Sequence, residues 1–258
     1  QCMALGFEGE IWPVHPTRSE QAGHATVPTV ADLPGPPDAA LVAVNRHETI
    51  QVVAALADIG AGAAVCYASG FAEVGGAGIG LQADLVAAAR SMPVVGPNCY
   101  GTVAATVGAA LWPDQQGLQR CQRGVALVTQ SGNIALNLTM QSRRMPISHV
   151  LTVGNQADVS IEECVEALVG EPSVSAIGLH MEALGDVPRF EAACRRASAK
   201  ANWPWSCCWR RHSRQQRSDC VTGFFTAQST GGKRQTGIAT AGLRPYGSRP
   251  AGAVVLLF

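Results

Sequence analysis

Apolar residues fall in short unbroken runs at 39–44, 63–67 and 93–95, and 10–14, which opens on Glu10, also reads as a short strand. Runs without polar alternation mark strands covered on both faces, hence a parallel sheet. Between them lie helical patterns: 48–59, with Ile50, Val53, Leu56 and Ala57 on one face, and 82–90. This alternation predicts a doubly wound α/β domain whose ligands sit in the loops after Val14, Val44, Tyr67 and Val95. Residues 2–7 read as the end of a helix stopped by Gly6. Because such a domain ordinarily opens with a strand and a glycine-rich turn, the chain is expected to be truncated at its N-terminus. A second α/β unit follows, with strands at 125–129, 150–153 and 176–180 and helices at 133–143, 160–169 and 187–199. Residues 102–122 read as a connector, and a fourth strand is expected after the last helix.

There the pattern breaks. Trp203-Pro204-Trp205-Ser206-Cys207-Cys208-Trp209 begins a stretch with neither strand nor helix period. Shifting the codons of these residues by one base turns them into an apolar run of Ala, Val and Leu, the strand that was expected. The sequence therefore predicts a displaced reading frame from near 200–202. On that reading, residues 203–242 do not pack as a fourth strand and helix. A native-like pattern returns at 243–250 and Ala253-Val254-Val255. The expected organisation is 1–101, 102–122 (connector), 123–200 (incomplete second domain) and 201–258 (non-native tail).

Charge sharpens this division. The chain is neutral overall, yet residues 1–200 carry 11 basic and 18 acidic side chains, and residues 201–258 carry 8 and 1. A basic tail is one mark of a nucleic-acid binder, but no aromatic–basic pattern accompanies it, and we expect neither nucleic-acid nor membrane contact. Of nine cysteines, Cys66 lies in an apolar run and Cys164 and Cys194 in helical patterns. This is the usage of a reduced cytoplasmic protein, and no zinc-ligand spacing is present.

Two loops carry candidate chemistry. Gln130-Ser131-Gly132-Asn133 lies between a strand and a helix. It reads either as a phosphate-binding turn, with amides and the positive helix end facing an anion, or as a plain turn capped by Ser131. Gly96-Pro97-Asn98-Cys99-Tyr100-Gly101 lies at the ligand edge of the first domain and also reads as a rigid interdomain turn. Cys99 has no histidine fixed beside it and is not expected to be a nucleophile. Glu182 closes the strand at 176–180 and reads either as a carboxylate placed to orient a histidine or as a solvated surface residue, while His180 reads as structural.

With these loops go 9–16, 30–34, 68–73 and 153–158, and together they make residues 3–199 resemble the NDP-forming acyl-CoA synthetases. That family includes ADP-forming acetate–CoA ligase and is related to succinyl-CoA synthetase. The resemblance implies a Rossmann-like CoA-binding domain and then a flavodoxin-like domain, both with parallel sheets. It implies that Val14, Pro16, Val44, Ser69, Gly70 and Asn98 surround CoA. Ser131, Gly132 and Asn133 would face a phosphohistidine that Glu182 orients. The implied reaction joins a small carboxylic acid to CoA with Mg-ATP, using an ATP-grasp domain or subunit. In this sequence the family's glycine-rich CoA loop is not found, Thr17 stands where a lysine is common, and the histidine loop would fall in the altered tail, where His212 lacks its context. The expected function is a partial ligase, inactive as this chain; the alternative is a non-catalytic CoA- or nucleotide-binding module.

Overall fold

The computed structural model describes residues 1–142, 145–199, 206–209 and 253–257. The strands are β1 (Ile11–Val14), β2 (Glu20–Gln21), β3 (His24–Ala25), β4 (Ala39–Val42), β5 (Ala64–Cys66), β6 (Val94–Val95), β7 (Thr102–Ala104), β8 (Ala109–Leu111), β9 (Gly124–Thr129), β10 (Ile147–Thr152), β11 (Val174–Met181), β12 (Ser206–Trp209) and β13 (Val254–Leu257). The helices are α1 (Arg46–Asp58), α2 (Ala77–Ala89), α3 (Gly132–Thr139), α4 (Ile161–Gly170) and α5 (Val187–Ala199).

Two sheets carry the fold. The first runs β1-β13-β4-β5-β6 and is parallel throughout. The second runs β12-β11-β9-β10 in parallel and is extended by the antiparallel hairpin β7–β8. The parallel sheets expected from the unbroken apolar runs are thus present: β4 and β5 are almost wholly buried because helices or core cover both faces.

Local chemistry sets the helix starts. Asn45 Oδ1 accepts the amides of His47 and Glu48, both at 3.1 Å, and opens α1. Ser160 and Glu163 form a capping box on α4. The expected face of α1 holds for Val53 and Leu56, which are fully buried together with Thr49. Helix α2 begins at Ala77, well before the expected 82. Gly75 and Gly76 make the turn at positive φ, and Gly78 presses against the carbonyl of Phe71, where a Cβ would lie 2.1 Å away.

Three expectations are corrected. Residues 102–122 contain β7 and β8, an edge hairpin of the second sheet, and not merely a connector. Ser206–Trp209 pairs in parallel with Gly178–Met181, so this piece of the supposed non-packing tail is a fourth strand. A ladder is made by backbone groups, which are the same in any reading frame. Val254–Leu257 is a strand, as the returning pattern implied, but it lies in the first sheet between β1 and β4. The readings for 200–205 and 210–252, including His212, lie outside the described residues.

The core is shared between the two units. Leu41, Val65, Val95 and Cys99 of the first pack in one buried cluster with Val153, Val159, Ile161 and Val165 of the second. This shared core holds the two carboxyl edges together.

Candidate active-site cleft

Ligands of doubly wound sheets bind beyond the carboxyl ends of the strands, where the winding reverses. In the first sheet the loops there follow β1, β4, β5 and β6. After β1, His15 Nδ1 accepts the amides of Thr17 (3.2 Å) and Arg18 (3.0 Å), tightening the turn at Pro16. After β4, Val44 leads into the Asn45 cap, and Arg46 Nη1 donates to the Gly70 carbonyl at 3.1 Å. After β5, the carboxylate of Glu73 accepts the amides of Gly70 and Phe71 and shapes the Ser69–Gly70 turn. After β6, Asn98 adopts φ 58° and its amide donates to Ala68 O at 2.8 Å. Tyr67, Ser69, Asn98, Cys99 and Tyr100 line a cavity of about 160 Å³.

A larger cavity, about 460 Å³, lies at 57–62 and 89–93 on the opposite edge. Helices α1 and α2 end there, so their carbonyl ends face it, which disfavours an anionic ligand.

Asn155 ties the first cluster to the second unit. Its Nδ2 donates to Glu73 and, at 3.0 Å, to Gln82 Oε1, while its Oδ1 accepts from Asn98 Nδ2 at 3.3 Å. Three motifs distant in sequence thus meet in one hydrogen-bonded knot. Partial burial works to raise the Glu73 pKa, but the bonds from Asn155, Gly70 and Phe71 outweigh it and hold the carboxyl below its ordinary value. A depressed carboxyl stabilises the fold above the unfolded value, about 4.3, and the contribution is lost as pH falls through the lower folded value. Glu73→Gln is therefore expected to lower the neutral plateau of a stability–pH curve and to converge with the unchanged chain in acid, so that the limb below about pH 4.3 flattens. An unaltered acid limb in urea titrations would count against this role.

The second sheet reverses between β9 and β11. There Thr129 Oγ1 accepts the Ser131 amide at 3.0 Å and lies 3.2 Å from His180 Nδ1. Gln130 Oε1 accepts the amides of Glu182 and, at 2.8 Å, Ala183. Ser131 caps α3 by accepting from Ile134 N at 3.5 Å. The amides of Gly132 and Asn133, in the first turn, have no intrahelical partner. Glu182 is exposed at the rim. Its loop is pinned from beneath by the fully buried Glu162, whose Oε1 accepts from Gly185 N and Asp186 N, both at 2.9 Å.

Tyr100 joins the two edges. A Cβ on Gly132 would lie 2.2 Å from its ring, so the space left by that glycine is used by the tyrosine. The ring also packs on Trp112, with centroids 5.5 Å apart, and meets Tyr67 edge-on at 6.0 Å.

The structure therefore brings Ser69, Gly70 and Asn98 to one cluster. It brings Ser131, Gly132, Asn133 and Glu182 to a second, with Tyr100 between them. Val14 is buried, and Pro16 lies farther along the same edge. Burial pushes the Cys99 thiol up to about 12, against a weaker pull from Thr152 and Gly101, so it is protonated at neutral pH and a poor nucleophile. Sequence reasoning missed Arg46, Gln130, Glu162 and the bridging role of Tyr100. Arg46 directly follows the β4 ligand loop, and Gln130 and Tyr100 lie within the two candidate loops, but for Glu162 there was no signal. Among the described residues no cluster of His, Cys, Asp and Glu could hold a metal ion, and no helix is long and apolar enough to cross a membrane.

Residues 2–105 match the model of a CoA binding domain, and residues 122–202 that of a succinyl-CoA ligase like flavodoxin domain. A trans-feruloyl-CoA synthase from an unknown prokaryotic organism is 35% identical over 200 residues, covering 75% of this chain and 28% of that protein. The alpha subunit of an ADP-forming acetate–CoA ligase II from Pyrococcus furiosus is 27% identical over 199 residues, covering 74% and 42%. The solved dinucleotide-forming acetyl-coenzyme A synthetase 1 of Ca. Korarchaeum cryptofilum, in complex with phosphate and ADP, superposes with a TM-score of 0.72 at 28% identity, covering 81% of this chain and 45% of that one. The chain thus spans less than half the length of these relatives.

Proposed function

With those two domains in that order the chain belongs to the NDP-forming acyl-CoA synthetase family, and we propose that it supplies the CoA-binding and phosphate-facing part of an acid–thiol ligase. The observation that carries this reading is the contact of Tyr100 with Gly132. It sets the cluster of Ser69, Gly70 and Asn98, the CoA side in this reading, beside the α3 start.

In the reaction proposed, a phosphoryl group passes from ATP to a histidine and then to a carboxylate oxygen of the acid. The CoA thiolate attacks the acyl phosphate carbon and phosphate leaves. Here Ser69, Gly70 and Asn98 line the CoA side, with Val14, Pro16 and Val44 along the same edge and the Arg46 guanidinium as a cation for the diphosphate. The amides of Gly132 and Asn133 and the hydroxyl of Ser131 face the phosphoryl group. Glu182, held at the rim by Gln130 and by the loop that Glu162 anchors, accepts a hydrogen bond from the histidine and favours its charged form.

The histidine and the nucleotide site are assigned to parts other than residues 1–199: an ATP-grasp domain or subunit for the nucleotide, and a loop beyond α5 for the histidine. Residues 1–258 alone are accordingly expected to bind CoA in calorimetry. They should form no acyl-CoA from acid, CoA and Mg-ATP, and take no label from γ-labelled ATP. Stoichiometric acid-labile phosphorylation of any histidine would overturn the assignment of silence, and absence of CoA binding would overturn the CoA reading itself.

A further inference from the structure

We infer that the gap between β1 and β4 is a binding site for a parallel apolar β-strand, and that segment 253–257 fills it as an exchangeable insert. Nothing in this step depends on the ligase reading. β1 and β4 do not pair with each other; every rung between them passes through β13. Ile11 to Val14 pair with Val254 to Leu257, and the same four residues pair on their other side with Ala39 to Val42. Neighbouring strands lie about 4.8 Å apart, so an empty gap would leave two facing edges about 10 Å from each other, too far to bond directly. Their unpaired amides and carbonyls would then be an acceptor for an added strand.

The entry to the gap is built as a clasp. Asp38 Oδ2 accepts the Ala253 amide at 2.7 Å, the Asp38 amide donates to Ala253 O at 2.9 Å, and Val254 N donates to Glu10 O at 2.9 Å. Beyond the clasp, side chains alternate between two apolar layers. Val254 joins the core shared with the second unit, and Val255, fully buried, joins the core under α1. Main-chain bonds thus supply affinity and two valine-sized pockets supply selectivity. The occupant class is an extended segment with small β-branched residues at two successive positions and no proline.

Two further observations separate this insert from an ordinary strand. It comes from the far end of the sequence, 215 residues from its clasp partner Asp38. It also takes an interior place, next to the edge strand β1. Counting β13 as first, the winding is 2-1-3-4-5, with the switch point at the carboxyl ends of β13 and β4. Whatever strand fills the gap therefore borders the ligand edge.

The test keeps the whole protein intact until it has folded. A protease site is placed between Gly231 and Gly232, the native chain is cut, and a labelled peptide of residues 251–258 is added. The C-terminal fragment is expected to co-elute with the rest after cleavage and to be replaced by the peptide over time. A Val255→Asp peptide should compete at least about 100-fold more weakly, because it would bury an unpaired charge. Departure of the fragment on cleavage, whatever happens to the remainder, would overturn the inference, and so would retention without any uptake of peptide.

Discussion

Gly154→Ala is expected to lower stability by about 3 kcal/mol or more and the melting temperature by roughly 10 °C. Gly154 sits at φ 50°, where an alanine is strained, and its Cβ would lie 2.3 Å from Pro97 O and 2.5 Å from Asn98 O. Both obstacles are backbone, so no side chain can swing away. The adjoining bonds Asn155 N to Pro97 O and Ala157 N to Gly96 O, each 2.9 Å, would be forced apart. These are the bonds that dock the second unit on the first, so the same variant should weaken CoA binding. Gly80→Ala in α2 is the control. Its Cβ meets nothing within 4 Å, and a helical glycine-to-alanine change there should be neutral or stabilising by up to about 1 kcal/mol. Equal melting temperatures for the two variants would refute the argument.

Gly132→Val is expected to weaken phosphate binding at the α3 start at least tenfold, about 1.4 kcal/mol. The cause is the ring of Tyr100: with a Cβ only 2.2 Å from it, the ring must leave or the helix start must shift. Either movement spoils the aim of the amides at Gly132 and Asn133 and opens the seam between the two clusters. Removing the ring separates the two consequences. A Gly132→Ala/Tyr100→Ala double variant restores room, so phosphate affinity should recover in part while CoA affinity stays reduced. Unchanged phosphate affinity in Gly132→Val, measured by calorimetry, would remove the anion site from consideration.

Most of the fold was legible because parallel strands leave a local mark. The runs at 39–44 and 63–67 had to be covered on both faces, and β4 and β5 are. The helical pattern at 160–169 foretold α4, and the structure adds the Ser160–Glu163 box that opens it. The site was legible only in pieces. Ser131, Gly132 and Glu182 stood out as strand-end residues, but the side chain of Gln130 that links them could not be foreseen, because it bridges 52 positions. The buried carboxylate of Glu162 looked like any charge on a helix. Nothing local reveals that it faces inward beneath the 183–186 loop.

By itself the sequence determined most of the parallel strands, the helices between them and the loops that carry the chemistry, since each depends on neighbours a few residues apart. Only the tertiary structure decided which loops meet, that Tyr100 closes on Gly132, that 102–111 extends the second sheet and that 254–257 enters the first. Backbone ladders account for the last two. Their hydrogen bonds are indifferent to side-chain identity, so an open strand edge takes a partner from wherever the chain can reach it.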